Sequence, residues 1–170
     1  MGHFYARKEG AMTVLRRLKA YLDENEVEYE VLAHPETYRA PATAEALHVP
    51  GKEMAKVVML KDGADDMMAV LPSTFKLDLQ RLREVLGGHT IRLAKEEEMA
   101  ELFPDCEIGM MPPFGNLYGL DVLVDGILTE DEEIVFPAGT AREAIKMRYD
   151  DFEQLVMPRV VEFSDREVKY

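Results

Sequence analysis

A mixed α+β fold, with helices packed on a largely antiparallel sheet, follows from three features of the sequence. Strand-like and helix-like segments alternate without a regular βαβ rhythm. Two neighbouring strand-like runs, MAKVVMLKD and MMAVLP, are joined by a turn region around Gly63, and a hairpin of that kind requires an antiparallel pair. The chain has 170 residues, 47% of them hydrophobic, which is enough to bury a sizeable core and argues against disorder. No internal repeat or linker-like stretch divides it, so one domain is expected.

Residues 1–11, MGHFYARKEGA, show no clear period and are expected to form an N-terminal extension ahead of a domain spanning 12–170. From Met12 the pattern turns helical, with Val14, Leu15, Leu18, Tyr21 and Leu22 on one face. EYEVLA at 28–33 alternates like a strand. PATAEALHV at 41–49 reads as a short helix with Pro41 or Thr43 near its start. After the hairpin, LDLQRLREVLGG is a helix closed by glycine, TIRLA a strand and KEEEMAELF another helix. LDVLVD, EIVFPAG and EAIKMR are strand-like, YDDFEQLV is a helix, and VVEF closes the order.

Between these elements lies EIGMMPPFGNLYG at 107–119, which the sequence assigns to neither helix nor strand. Pro112 and Pro113 fix φ and remove two donors, whereas Gly109, Gly115 and Gly119 open backbone angles denied to other residues. The result is a shaped loop whose amides must find turns, water or a ligand.

Charge and cysteine usage narrow the function classes. A net charge of −13 argues against coating nucleic acid by bulk electrostatics, so any such contact must be local. Lys52, Lys56 and Lys61, then Lys76, Arg81 and Arg83, then Arg142, Lys146 and Arg148 are the available cations, and most are read as solvated surface charge. The runs EEE at 96–98 and EDEE at 130–133 read as solvated faces. Cys106 is the single cysteine, which rules out an internal disulfide and a multi-cysteine zinc site. No apolar stretch is long enough to span a bilayer and the N-terminus lacks the apolar core of a signal peptide, so a cytoplasmic protein without a membrane partner is expected.

Lys56 raises the chemical question. Period-two geometry puts it on one face of KVVML with Val58 and Leu60, while Val57 and Met59 point the other way; both faces are apolar and the strand is expected to be internal. Two readings stand at this point. The lysine either snorkels from the strand end, or it is an ammonium at a pocket mouth that binds an anion or polarises an ester carbonyl.

YEVLAHPETYRAPATAEAL, AKVVMLKDG, AVLPSTFKLDLQRLREVLGG, EIGMMPPFGNLYGLDVLVD and FPAGTAREAIKM, in that order and spacing, resemble the YbaK and prolyl-tRNA synthetase-associated editing domain family, whose members deacylate mischarged aminoacyl-tRNA. The resemblance covers nearly all of the chain after Met12 and implies an α+β editing domain. It matches Lys56 to the lysine of the editing site and Gly109 to the loop glycine whose amide faces the scissile ester, with Pro113 and Gly115 completing the loop motif. It makes Tyr38, Thr43, Gly139 and Thr140 candidates for substrate contact, and His34 a structural or pocket-lining residue. At Ala141 the chain departs from relatives that often carry a histidine there.

The implied chemistry is hydrolysis of an aminoacyl ester without a covalent intermediate, cofactor or metal. The rigid loop would aim its amides at the developing oxyanion, and water would attack, assisted by the adjacent ribose hydroxyl. The histidines offer no i, i+4 pair on one helix. Cys106 has no histidine near it in sequence and is read as inert rather than nucleophilic. The expected partners are the 3′ end of aminoacyl-tRNA and an aminoacyl-tRNA synthetase. Small loop residues point to a small amino acid such as alanine, serine or threonine. A catalytically silent adaptor of the same fold is the competing class.

Overall fold

The computed structural model describes residues 14–88 and 90–165; the expected extension at 1–11 and the last residues of the expected domain lie outside that range. Helix α1 (Val14–Glu24) is followed by strand β1 (Tyr29–Ala33) and helix α2 (Ala40–Leu47). Strands β2 (Ala55–Asp62), β3 (Asp65–Pro72) and β4 (Lys76–Leu77) lead to helix α3 (Leu79–Leu86), strand β5 (Ile91–Leu93) and helix α4 (Glu96–Leu102). Strands β6 (Asp121–Asp125), β7 (Glu133–Pro137) and β8 (Glu143–Arg148), helix α5 (Tyr149–Val156) and strands β9 (Arg159–Val161) and β10 (Ser164–Asp165) complete the order.

Among the described residues the strands form three sheets. The largest runs β5-β2-β3-β6-β9, the second β1-β8-β7, and a short pair joins β10 to β4. Five of the seven strand pairs are antiparallel, and β6 runs parallel to both β3 and β9. The hairpin at Gly63 forms as expected, with φ +67° at the turn glycine.

Period-two alternation in the central strands feeds two cores on opposite faces of the large sheet. Ala55, Met59, Met68, Val70, Val122 and Val124 join the larger core with residues of α1 and α5 and with Phe114 and Phe136. Leu60, Ala69, Leu71 and Leu123 face the smaller core closed by Leu82, Ile91 and Phe163. Asp125 is buried at the end of β6. Burial would raise its pKa, but the backbone N–H groups of Ile127, Phe163 and Ser164 donate to it and hold it below the ordinary value, which pins the segment entering β10.

Two sequence expectations change. The 107–119 segment is not wholly irregular, because Gly115–Tyr118 forms a 3-10 helix ended by Gly119 at φ +70°. Nor is β2 internal along its whole length. It pairs with β5 only at Leu60–Asp62, so at Lys56 its one ladder partner is β3, opposite Leu71.

Candidate active site

A cavity of about 600 Å³ opens where β2 begins and β3 ends. Three elements converge on it: the start of α2 with Arg39 and Thr43, the strand ends with Lys56 and Ser73, and the shaped loop with Gly109. Lys76 also lines it. None of the described residues lining the cavity is acidic, although the chain as a whole carries −13.

Lys56 is half-buried, and its Nζ donates to the carbonyl of Ser73 at 3.4 Å. Burial, and then the nearby cations Arg39 and Lys76, push its pKa below the ordinary lysine value. This is an ammonium kept partly out of water, with no carboxylate paired to it among the described residues. Lys56 thus lines the cavity and is half-buried there, rather than fully exposed at the strand end. Ser73 is itself fastened, with its N–H donating to Met54 O at 2.7 Å and its hydroxyl to Gly51 O at 2.9 Å. The turn carrying Gly51 is anchored in part by Lys52, 3.8 Å from buried Asp131. Burial raises the Asp131 carboxyl to about 6, against the pull of Lys52.

The loop presents Gly109 at φ +83°, with open space where a Cβ would sit. Met110 N–H closes a turn onto Glu107 O at 2.9 Å, and the third residue of such a turn favours glycine when φ is positive. Gly109 lines the cavity, and its own N–H makes no hydrogen bond within the described residues.

The loop is rigid because both of its flanks are held. Gly139 donates to Met110 O at 2.8 Å and accepts from Glu107 N–H at 2.9 Å, bracketing Gly109 from either side. A Cβ on Gly139 would lie 2.6 Å from that of Val14, so the clamp also depends on close approach to α1. Downstream, Phe114 is fully buried among Tyr21, Phe136 and Phe152, with ring centroids 5.4 to 6.2 Å away.

The structure thus brings Lys56, Gly109 and Thr43 to one cavity and leaves the other sequence candidates off its wall. Pro113 and Gly115 are buried beneath the loop, where a Cβ on Gly115 would strike Val122 at 2.6 Å; they support the loop from inside. Gly139 acts through the backbone clamp just described. Thr140 is committed within its own turn, donating to Glu143 at 3.1 Å. Tyr38 is 60% exposed, with its hydroxyl on Glu36. Thr43 is buried and shares a 2.5 Å hydrogen bond with Thr37. His34 is bonded locally, to Pro35 O at 2.7 Å. Ala141 is buried, its N–H donating to Glu107 at 3.0 Å. Burial pushes the Cys106 thiol up to about 12, consistent with an inert side chain.

Arg39 lines the cavity too, although it is not among the cations that the sequence pattern marks. The signal available was its position just before the proline-led helix start, which places it at the N-terminal end of α2.

This cavity, with its half-buried lysine and clamped glycine loop, sits in a chain that belongs to the aminoacyl-tRNA editing domain family, whose profile matches residues 34–155. The chain is 28% identical over 153 residues to the multifunctional Ser/Thr-tRNA deacylase ProXp-y of Escherichia coli K12, covering 87% of this chain and 91% of that protein. It is 30% identical over 93 residues to the proline–tRNA ligase of Thermosipho africanus, which amounts to 55% of this chain and 16% of the ligase. In fold it resembles the crystal structure of a candidate trans-editing enzyme for prolyl tRNA synthetase, with a TM-score of 0.78 at 22% identity over 91% of this chain and 98% of that one.

Proposed function

We propose that this protein is a trans-editing aminoacyl-tRNA deacylase, with residues 12–170 acting as one editing domain, and that it hydrolyses the ester of a mischarged tRNA carrying a small amino acid. The observation that carries the reading is the pairing, in one cavity without acidic lining, of the Lys56 ammonium and the uncommitted Gly109 N–H. Membership of the editing family supplies the reaction class, and similarity to a Ser/Thr-tRNA deacylase favours serine or threonine among the small amino acids.

In this mechanism Lys56 holds the carbonyl or phosphate side of the substrate and the Gly109 amide donates to the oxyanion as water adds to the ester carbonyl. Collapse of the tetrahedral intermediate breaks the bond to the ribose oxygen, which takes up the proton lost by the attacking water. The products are a free amino acid and an uncharged tRNA. A ribose hydroxyl beside the ester can relay that proton. A synthetase that delivers the tRNA is the expected partner, because the acidic surface gives weak bulk attraction to RNA. The protein acts where translation occurs; among the described residues no helix is long and apolar enough to cross a membrane.

The test is a panel of tRNAs mischarged with alanine, serine, threonine, cysteine and an aromatic residue. Rapid hydrolysis of one of the small aminoacyl esters is expected. Binding of charged tRNA without turnover of any member would favour the silent adaptor, and preference for the aromatic ester would overturn the small-substrate reading.

A further inference from the structure

The proposed chemistry needs Lys56 and the loop, yet two more cations line the same cavity. Arg39 stands immediately before α2 and Lys76 lies on β4, and both are exposed. Neither forms an ion pair or side-chain hydrogen bond with a described residue. Asp and Glu outnumber Lys and Arg by 33 to 20 in this chain, so three positive side chains gathered on a cavity wall that lacks carboxylates is a local inversion of its charge. Like charges held together repel, and an arrangement of this kind is stabilised when an anion occupies the space between them.

Resting on the deacylase reading, we propose that Arg39 and Lys76 form a phosphodiester subsite at the cavity mouth, which holds the backbone phosphates of the single-stranded 3′ end of tRNA while Lys56 and Gly109 face the ester. Arg39 offers a planar fork suited to a phosphate and Lys76 a mobile point charge. Such contacts position the strand without reading its sequence. This local subsite lets an acidic protein engage an RNA end that its overall charge repels.

The experiment is NMR-monitored binding of the trinucleotide CCA, which has two internal phosphodiesters, and of adenosine, which has none. Wild type, the double variant Arg39→Ala/Lys76→Ala and the control Arg159→Ala are titrated over salt concentrations from about 50 to about 500 mM. Wild type should prefer the trinucleotide, with a log–log salt slope near −0.7 for each phosphate contact. The double variant should lose that slope and bind CCA about tenfold more weakly, while adenosine binding stays at the wild-type level in all three proteins. On the best mischarged tRNA it should raise KM by a similar factor and leave kcat within about twofold.

A wild-type slope retained by the double variant overturns the subsite, and so does an equal loss of adenosine binding. Displacement of CCA by inorganic phosphate at equal affinity would mean a free-phosphate site and would overturn the assignment to an RNA backbone. The binding arm requires no turnover, so the two readings separate: a cation-dependent CCA slope without hydrolysis of any mischarged tRNA sinks the deacylase and spares the subsite.

Discussion

Lys56 and Lys61 lie toward opposite ends of one strand, and their surroundings are opposite in character. At the Lys56 end a cavity of about 600 Å³ gathers Arg39 and Lys76 around a desolvated ammonium. At the Lys61 end a larger cavity, about 750 Å³, is lined by Asp62, Asp65, Asp66 and Asp121 with Arg159 as its counter-charge. There Lys61 is neutralised by Asp66 at 2.6 Å, a hydrogen bond that raises its pKa, whereas burial lowers that of Lys56. Size is thus a poor guide to chemistry in this fold. The smaller cavity has the unpaired cation, the free amide and the rigid loop.

The comparison breaks most readily at the two lysines themselves. Lys56→Ala is expected to lower single-turnover deacylation by about 10²-fold or more, the order seen when one oxyanion-stabilising contact is removed. Its melting temperature should stay near that of wild type, since a strand-end lysine packs little beyond its stem. Lys61→Ala removes an ion pair at the far end and should leave the rate within about twofold. Equal activity of Lys56→Ala and wild type would remove Lys56 from the site.

The course of the strands and helices was legible because periodicity reports burial directly. The alternation of Met68, Ala69, Val70 and Leu71 between two cores is visible in the sequence of β3. Lys56 and Gly109 were legible for a different reason: a charge inside an apolar strand and a glycine in a proline-stiffened loop are local anomalies. The cation cavity was not. Arg39, Lys56 and Lys76 lie on three elements, and only the folded β2–β3 hairpin with α2 beside it brings them together. The role of Gly139 was hidden likewise, because a backbone clamp reaching from residue 139 to residues 107 and 110 leaves no mark in side-chain pattern. The parallel pairing of β6 with β3 and β9 is also a long-range choice that strand pattern does not encode.

Two glycines sharpen the contrast at the backbone. Gly109 and Gly119 both adopt positive φ, +83° and +70°, and both have open space where a Cβ would sit. Gly109 lines the cation cavity and Gly119 the acidic one. Alanine at either position should cost about 1–2 kcal/mol for its left-handed conformation, read as a similar drop in thermal stability. Only Gly109→Ala should reduce deacylation, by about tenfold, because relaxation of that turn moves the Gly109 N–H. Equal losses of activity in the two variants would show that the effect is general destabilisation.

The smallest expected effect tests whether local or overall charge governs access of RNA. Asp65→Asn/Asp121→Asn brings the net charge from −13 to −11 by changing the far end alone. Lys56 and Asp62 are six residues apart on an extended strand, which places the two cavities roughly 20 Å apart at about 3.3 Å per residue. That is more than twice the Debye length of about 8 Å at physiological ionic strength, so kcat/KM measured near 0.15 M salt should change by less than about twofold. At about 0.01 M salt the screening length grows to about 30 Å and exceeds the separation. The same variant should then outpace wild type several-fold through faster association, with kcat unaffected. A large gain already present at 0.15 M would mean that the whole-protein field, rather than the cation cavity, sets the approach of the tRNA end.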